Sequence, residues 1–143
     1  MERILVGRPI VAGRAEGEAI VSREPLSFWG GFDPKTGAII DRYHDRCGES
    51  IEGKVFVFPQ EKGSCTGSAV LLESVRLGKA PAAIISAEVT PILALGSIVA
   101  DQLYDKYVPI LVLPRENCEA IHDGDYLLIQ ADGKVRVNSA KRG

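Results

Sequence analysis

The stretch Val55-Phe56-Val57-Phe58-Pro59-Gln60-Glu61-Lys62-Gly63-Ser64-Cys65-Thr66-Gly67-Ser68-Ala69-Val70-Leu71-Leu72 constrains the fold of this chain more than any other. Its apolar run up to Phe58 suits a buried strand. Small polar residues then make a turn, and Ala69, Leu71, Leu72 and Val75 follow at roughly helical spacing. The same order recurs downstream. Ala80 to Ser86 reads as a second buried strand, Thr90 to Asp101 as a second helix with Thr90 as N-cap and Pro91 at its first position, and Pro109 to Leu113 as a third buried strand. Gly78, just past the first helix, suits a left-handed C-cap. Strand, helix, strand, helix, strand implies parallel strands joined by right-handed crossovers.

The flanks differ in kind. Gly124 to Val137 alternates apolar and polar residues around Asp132-Gly133, the pattern of a hairpin. Met1 to Val11 looks like a first edge strand or lead-in, and Ala15 to Ser22 like a strand approached through glycines. The expected fold class is therefore α/β, with parallel central strands and flanking antiparallel β segments. Arg23 to Gly37 is a long loop that carries the only Trp and two Phe, so it either covers a partner or substrate or plugs the domain's own core. Ala38 to Ile40 resumes a strand, and the charged stretch Asp41 to Ser50 reads as a solvated connection.

A length of 143 residues fits one domain, taken here as residues 1–143. Apolar and charged fractions of 45% and 25%, with a net charge of -2, give no support for a nucleic-acid or membrane partner. The one basic cluster, Lys141-Arg142, reads as a solvated terminus. No apolar run is long enough for a membrane span or a signal-peptide core, so a cytoplasmic location is expected. Cys47, Cys65 and Cys118 are odd in number and scattered. That spacing argues against a disulfide framework and against a self-contained zinc or iron-sulfur site.

Chemistry is expected at the turn after Phe58. The first N–H groups of a helix lack partners inside it, and with the helix dipole they attract an anion or a developing oxyanion. Ser64, Cys65, Thr66 and Ser68 cluster there, between Gly63 and Gly67. The competing reading is structural: Ser64 or Thr66 as an N-cap, with the glycines serving the turn. The cluster is neither a Walker loop nor a nucleophile elbow. His44 and His122 lie in polar, turn-like surroundings expected to be surface loops, and neither comes with a recognisable partner motif for Ser-His catalysis.

Three motifs in register carry a likeness: Pro25-Leu26-Ser27-Phe28-Trp29-Gly30-Gly31-Phe32-Asp33-Pro34, Lys62-Gly63-Ser64-Cys65-Thr66-Gly67-Ser68, and Lys79-Ala80-Pro81-Ala82-Ala83-Ile84-Ile85. From about Gly7 to Leu113 the chain resembles the small subunit of the aconitase X family. The resemblance implies an aconitase-type swivelling β/β/α domain. It also implies a heterodimer with an aconitase X large subunit, which holds an iron-sulfur cluster on its own cysteines, so no metal ligand is expected on this chain. Family members are hydro-lyases that dehydrate mevalonate 5-phosphate in archaea or cis-3-hydroxy-L-proline in bacteria.

The resemblance further implies that Ser64 is the general base of a dehydration, with Gly63, Cys65, Thr66 and Ser68 around the substrate. Ser27, Phe28, Trp29, Gly30 and Gly31 would form a partner or substrate loop. A serine hydroxyl is a poor base unless its alkoxide is stabilised, so the N–H groups of Cys65 and Thr66, or an arginine from the partner, must assist it. Cys65 is expected to be a small residue at the turn rather than a cluster ligand. The turn Gly-Ser-Cys-Thr-Gly-Ser is closer to the bacterial type, which points to cis-3-hydroxy-L-proline, converted to pyrroline-2-carboxylate. Mevalonate 5-phosphate is the alternative substrate; its phosphate would call for a cationic pocket, to which Arg14, Arg23 and Lys62 could contribute. A non-catalytic ligand-binding or scaffold module, docking a partner through Phe28 and Trp29, is the reading from a different class.

Overall fold

A computed structural model describes residues 2–140, so Met1 and the basic pair Lys141-Arg142 lie outside the described residues. The first half holds strands β1 (Glu2–Val6), β2 (Arg8–Val11) and β3 (Ala15–Val21), the short turn α1 (Phe28–Gly31), and the two-residue strands β4 (Phe32–Asp33) and β5 (Ala38–Ile39). The second half holds β6 (Val55–Phe58), α2 (Gly67–Arg76), β7 (Ala83–Ser86), α3 (Pro91–Tyr104), β8 (Ile110–Val112), α4 (Arg115–Glu119), β9 (Tyr126–Ile129) and β10 (Lys134–Asn138).

Eight strands form one sheet in the order β1-β10-β9-β3-β6-β7-β8-β2, with β4 and β5 paired separately. β3, β6, β7 and β8 are parallel neighbours. The β9–β10 hairpin and β1 extend one side in antiparallel fashion, and β2 closes the other. This is the mixed layout expected from the order of elements. The lead-in, however, is two strands rather than one, and they occupy opposite ends of the sheet order. Gly7 alone separates them, so the sheet curls until its two outer strands meet. A side chain at Gly7 would lie 2.8 Å from Leu111 Cδ1 and 2.9 Å from the Val112 carbonyl, which is why only glycine fits this corner.

The apolar runs work because both faces of the central strands are covered. On β6, Phe56 and Phe58 join Ile84, Ile110, Leu71, Val75 and Leu93 on the face under α2 and α3. Val55 and Val57 point the other way, into a cluster with Ile85, Leu111, Leu127, Val135 and Val137. Successive side chains of a strand alternate faces, so a four-residue run with no polar member places β6 at the centre.

α2 ends as expected at Gly78, whose φ of +71° allows Lys79 N–H to donate back to the Ser74 carbonyl at 2.8 Å. α2 and α3 cross very closely. A Cβ at the buried Gly96 of α3 would lie 2.5 Å from the Ser68 carbonyl oxygen of α2.

Two expectations are corrected here. His44 does not lie on a surface loop: it is 6% exposed, and its Nε2 stands 2.9 Å from Ser22 Oγ. A charged segment can therefore carry one inward-facing polar anchor. Thr90 does not cap α3 with its side chain; its Oγ1 is buried and has no hydrogen-bond partner among the described residues.

Candidate active site

The segment from Pro59 to Thr66 carries the chain from the end of β6 to the start of α2. Gly63 adopts φ +91°, a conformation that favours glycine. A Cβ there would lie 2.8 Å from Ser27 Oγ. Ser64 is half-buried, whereas Gly63, Cys65 and Thr66 are exposed. The Thr66 N–H donates to Ser64 Oγ at 3.0 Å, and Gly67 N–H donates to the Ser64 carbonyl at 3.0 Å. Ser68 Oγ donates to the Cys65 carbonyl at 2.8 Å, which closes the turn.

Of the two N–H groups expected to assist Ser64, the structure thus aims that of Thr66 at its oxygen. The bond serves both readings of the turn. To a neutral hydroxyl it is a local side-chain turn of the kind that starts a helix. To an alkoxide it is a charge-assisted bond, shorter and about twice as strong. Thr66 itself makes no side-chain cap, so the hydroxyl that satisfies a helix-start amide is that of Ser64.

The Ser27 to Gly31 segment packs directly against this turn. A Cβ at Gly67 would lie 3.6 Å from Phe28 Cβ and 3.6 Å from Trp29 N. The structure sends adjacent residues of this loop in opposite directions. Phe28 is buried, with its ring centroid 4.9 Å from that of Phe32 and 6.4 Å from that of Phe56. Trp29 is 57% exposed. The break between them comes from Trp29 at ψ 113° and Gly30 at φ +80°, which interrupt the helical turn. Ser27 Oγ donates to the Trp29 carbonyl at 3.1 Å; Gly30 is exposed and Gly31 buried.

A third element joins these two, and sequence reasoning missed it. The half-buried Glu61 accepts the Ile92 N–H on Oε1 at 2.9 Å and the Leu93 N–H on Oε2 at 3.0 Å. Its carboxylate caps α3, where Thr90 was expected to. The sequence signal was a carboxylate just past the end of a buried strand, uninformative without knowing that α3 begins beside it.

Other candidate groups do not converge on Ser64. Among the described residues no group of three His, Cys, Asp or Glu side chains could hold a metal. Cys47 and Cys65 are exposed, and Cys118 is buried in the cluster on the other face of the sheet. Burial raises the Cys118 thiol to about 11. The three cysteines therefore do not fit an iron-sulfur cluster.

Arg14, Arg23 and Lys62 do not share a pocket either. Arg23 lines a cleft with Arg115 beyond the end of β3, and Arg14 lines a groove with Arg136 before its start, about 20 Å away along the strand. Only Lys62 adjoins the Ser64 turn. The Ser22–His44 pair is not a nucleophile and its base. His44 Nδ1 accepts the Arg46 N–H at 3.1 Å, so Nε2 carries the proton and donates to Ser22 Oγ, which bonds Asp45 Oδ1 at 2.8 Å.

Comparison with known proteins adds the family. Residues 4–137 match the aconitase X swivel domain. The chain is 47% identical over 110 residues to the cis-3-hydroxy-L-proline dehydratase of Pseudomonas aeruginosa, covering 77% of this chain and 19% of that protein. It is 43% identical over 130 residues to the phosphomevalonate dehydratase small subunit of Methanosarcina acetivorans, covering 90% of this chain and 85% of that one. It thus spans about a fifth of the first relative and most of the second. The crystal structure of Thermococcus kodakaraensis aconitase X in its holo form superimposes with a TM-score of 0.86 at 42% identity, covering 96% of this chain and 99% of that chain.

Proposed function

Because the chain belongs to the aconitase X family, as its swivel domain, we propose that it is the small subunit of a hydro-lyase in which Ser64 is the general base. The observation that carries this reading is the Thr66 N–H, which donates to Ser64 Oγ at 3.0 Å on a half-buried residue at the start of α2. Dehydration breaks one C–H and one C–O bond on neighbouring carbons, forms a double bond between them and releases water. Ser64 takes the proton. One charge-assisted hydrogen bond stabilises its alkoxide by about 1.5–3 kcal/mol, so the remaining stabilisation comes from outside this turn, from a partner's cation or from exclusion of water.

The whole chain acts as one domain against a large subunit. Exposure of Gly63, Cys65 and Thr66 around Ser64 leaves the rest of the substrate's surroundings to be supplied by that partner. We assign the iron-sulfur cluster of the family to the large subunit, a reading supported by the absence, among the described residues, of any group of three side chains that could hold a metal.

The substrate is a small hydroxy acid. The Gly-Ser-Cys-Thr-Gly-Ser turn supports cis-3-hydroxy-L-proline, giving pyrroline-2-carboxylate. A second reading, mevalonate 5-phosphate, is supported by 43% identity to a phosphomevalonate dehydratase small subunit and by Lys62, two residues from Ser64 and free of ion pairs among the described residues. The test is the complex assembled anaerobically with its large subunit and assayed for water loss from each compound. Ser64→Ala should assemble normally and lose turnover by at least about 100-fold, the range for a positioned acid-base group. Residual activity above a tenth of the parent would remove Ser64 from the role of base.

A further inference from the structure

We propose that Glu61 is the positioning residue of the Ser64 turn. The proposal rests on Ser64 being the base, and its test separates the two. Glu61 is held from two sides. Its carboxylate receives one amide of α3 on each oxygen, Ile92 at 2.9 Å and Leu93 at 3.0 Å. Its backbone pairs with Leu26 in a parallel bridge, flanked by Leu26 N–H to the Gln60 carbonyl at 3.3 Å and Lys62 N–H to the Leu26 carbonyl at 3.2 Å. The segment just before Ser64 is thereby fixed both to the Ser27 loop and to the start of α3. Between this clamp and Ser64 lie only Lys62 and Gly63, and Gly63 sits against Ser27.

A second observation shows that this carboxylate is more than a helix cap of convenience. Thr90 occupies the position where a side-chain cap is ordinarily supplied from within the helix, yet its Oγ1 is buried without a partner among the described residues. The amides of α3 are given to Glu61 instead, and the α3 dipole faces that negative charge. Two consequences follow. The carboxylate three residues before Ser64 is engaged by two amides at the start of α3, whose dipole offsets part of its charge. The start of α3 is closed to a substrate anion, which leaves the anion to the α2 turn and the partner.

The test uses the assembled complex and three variants: Glu61→Gln, Thr90→Asp, and the two combined. Glutamine keeps one acceptor oxygen and presents an NH2 group to the second amide, so half the clamp is lost and a donor faces a donor. The expected result for Glu61→Gln is a fall in kcat of about 10- to 100-fold with KM changed less than about threefold, the scale for a supporting residue that lets a reactive group drift. Hydrogen exchange should rise both in residues 90–96 and in residues 60–69.

Thr90→Asp gives α3 a carboxylate of its own. In the double variant it should restore the melting temperature and the protection of residues 90–96, while kcat stays low. Recovery of kcat together with stability would show that Glu61 serves α3 alone and would overturn the proposal. Unchanged exchange in residues 60–69 of Glu61→Gln would overturn it as well. If instead Ser64→Ala remains active, the reading of Ser64 as base fails. Exchange in residues 60–69 still decides whether Glu61 holds the turn.

Discussion

Replacing Gly96 by alanine tests whether the contact between α2 and α3 sets the position of the Ser64 turn. The added Cβ would stand 2.5 Å from the Ser68 carbonyl oxygen and 3.2 Å from both the carbonyl carbon and Cα of Ser68. A comfortable carbon-to-oxygen contact is about 3.3 Å, so the helices must separate by about 0.8 Å. Backbone lines the contact, and no side chain can rotate away. Overpacking of this kind costs about 1–3 kcal/mol, against about 1 kcal/mol gained because alanine suits a helix interior better than glycine. The net expectation is a loss of about 1 kcal/mol, seen as a melting temperature lower by about 3–5 °C for a domain of this size.

The effect on catalysis should be larger than that on stability. Ser68 donates through both its N–H and its hydroxyl to the Cys65 carbonyl, so a shift of its backbone is passed to the residue next to Ser64. A displacement approaching 1 Å at a reacting group costs on the order of 100-fold in rate. Thermal unfolding of the isolated chain and turnover of the assembled complex measure the two separately. Gly96→Ala with unchanged or raised melting temperature and full turnover would refute the reasoning at both steps.

Neighbouring residues of the Ser27 loop should behave in opposite ways. Phe28→Ala is expected to cost about 3–5 kcal/mol in denaturant unfolding, because Phe28 is buried between Phe32 and Phe56. Trp29→Ala should change stability by less than about 0.5 kcal/mol while weakening titration with the large subunit, since its ring is 57% exposed. Among the cysteines, Cys47 and Cys65 should alkylate readily at pH 8 and Cys118 only after unfolding, as burial holds its thiol at about 11 against an ordinary 9.0. The folded state favours the protonated thiol. This contribution to stability is present in full below pH 9.0 and declines as pH rises through about 11, and Cys118→Ala should remove that part of the alkaline loss.

The central layout was legible because buried parallel strands leave a signature in single residues: Val55 to Phe58 has no polar member, and Gly78 marks the end of α2. The Ser64 turn was legible for the same local reason. Glu61, His44 and Thr90 were not, because their roles depend on which segments lie beside them. Glu61 is separated from Leu93, and Ser22 from His44, by more than twenty residues, and no spacing rule connects such pairs. Phe28 and Trp29 were legible as important but not as different; only the backbone turn at Gly30 sends one inward and the other out.

The meeting of β1 and β2 at Gly7 also bears on the order in which the molecule can be made. β1 pairs with β10 from Glu2 with Asn138 to Val6 with Lys134, so of the ten strands described the earliest in the chain waits for the latest. At ordinary translation rates that wait is on the order of ten seconds. The parallel strands β6, β7 and β8, with α2 and α3 between them, can assemble earlier from contacts close in sequence, whereas the outer wall closes only when both β1 and β10 are present. Deleting residues before Gly7 should therefore leave the Ser64 turn formed but expose the edge of β10, which turns a stability defect into a tendency to pair with other chains.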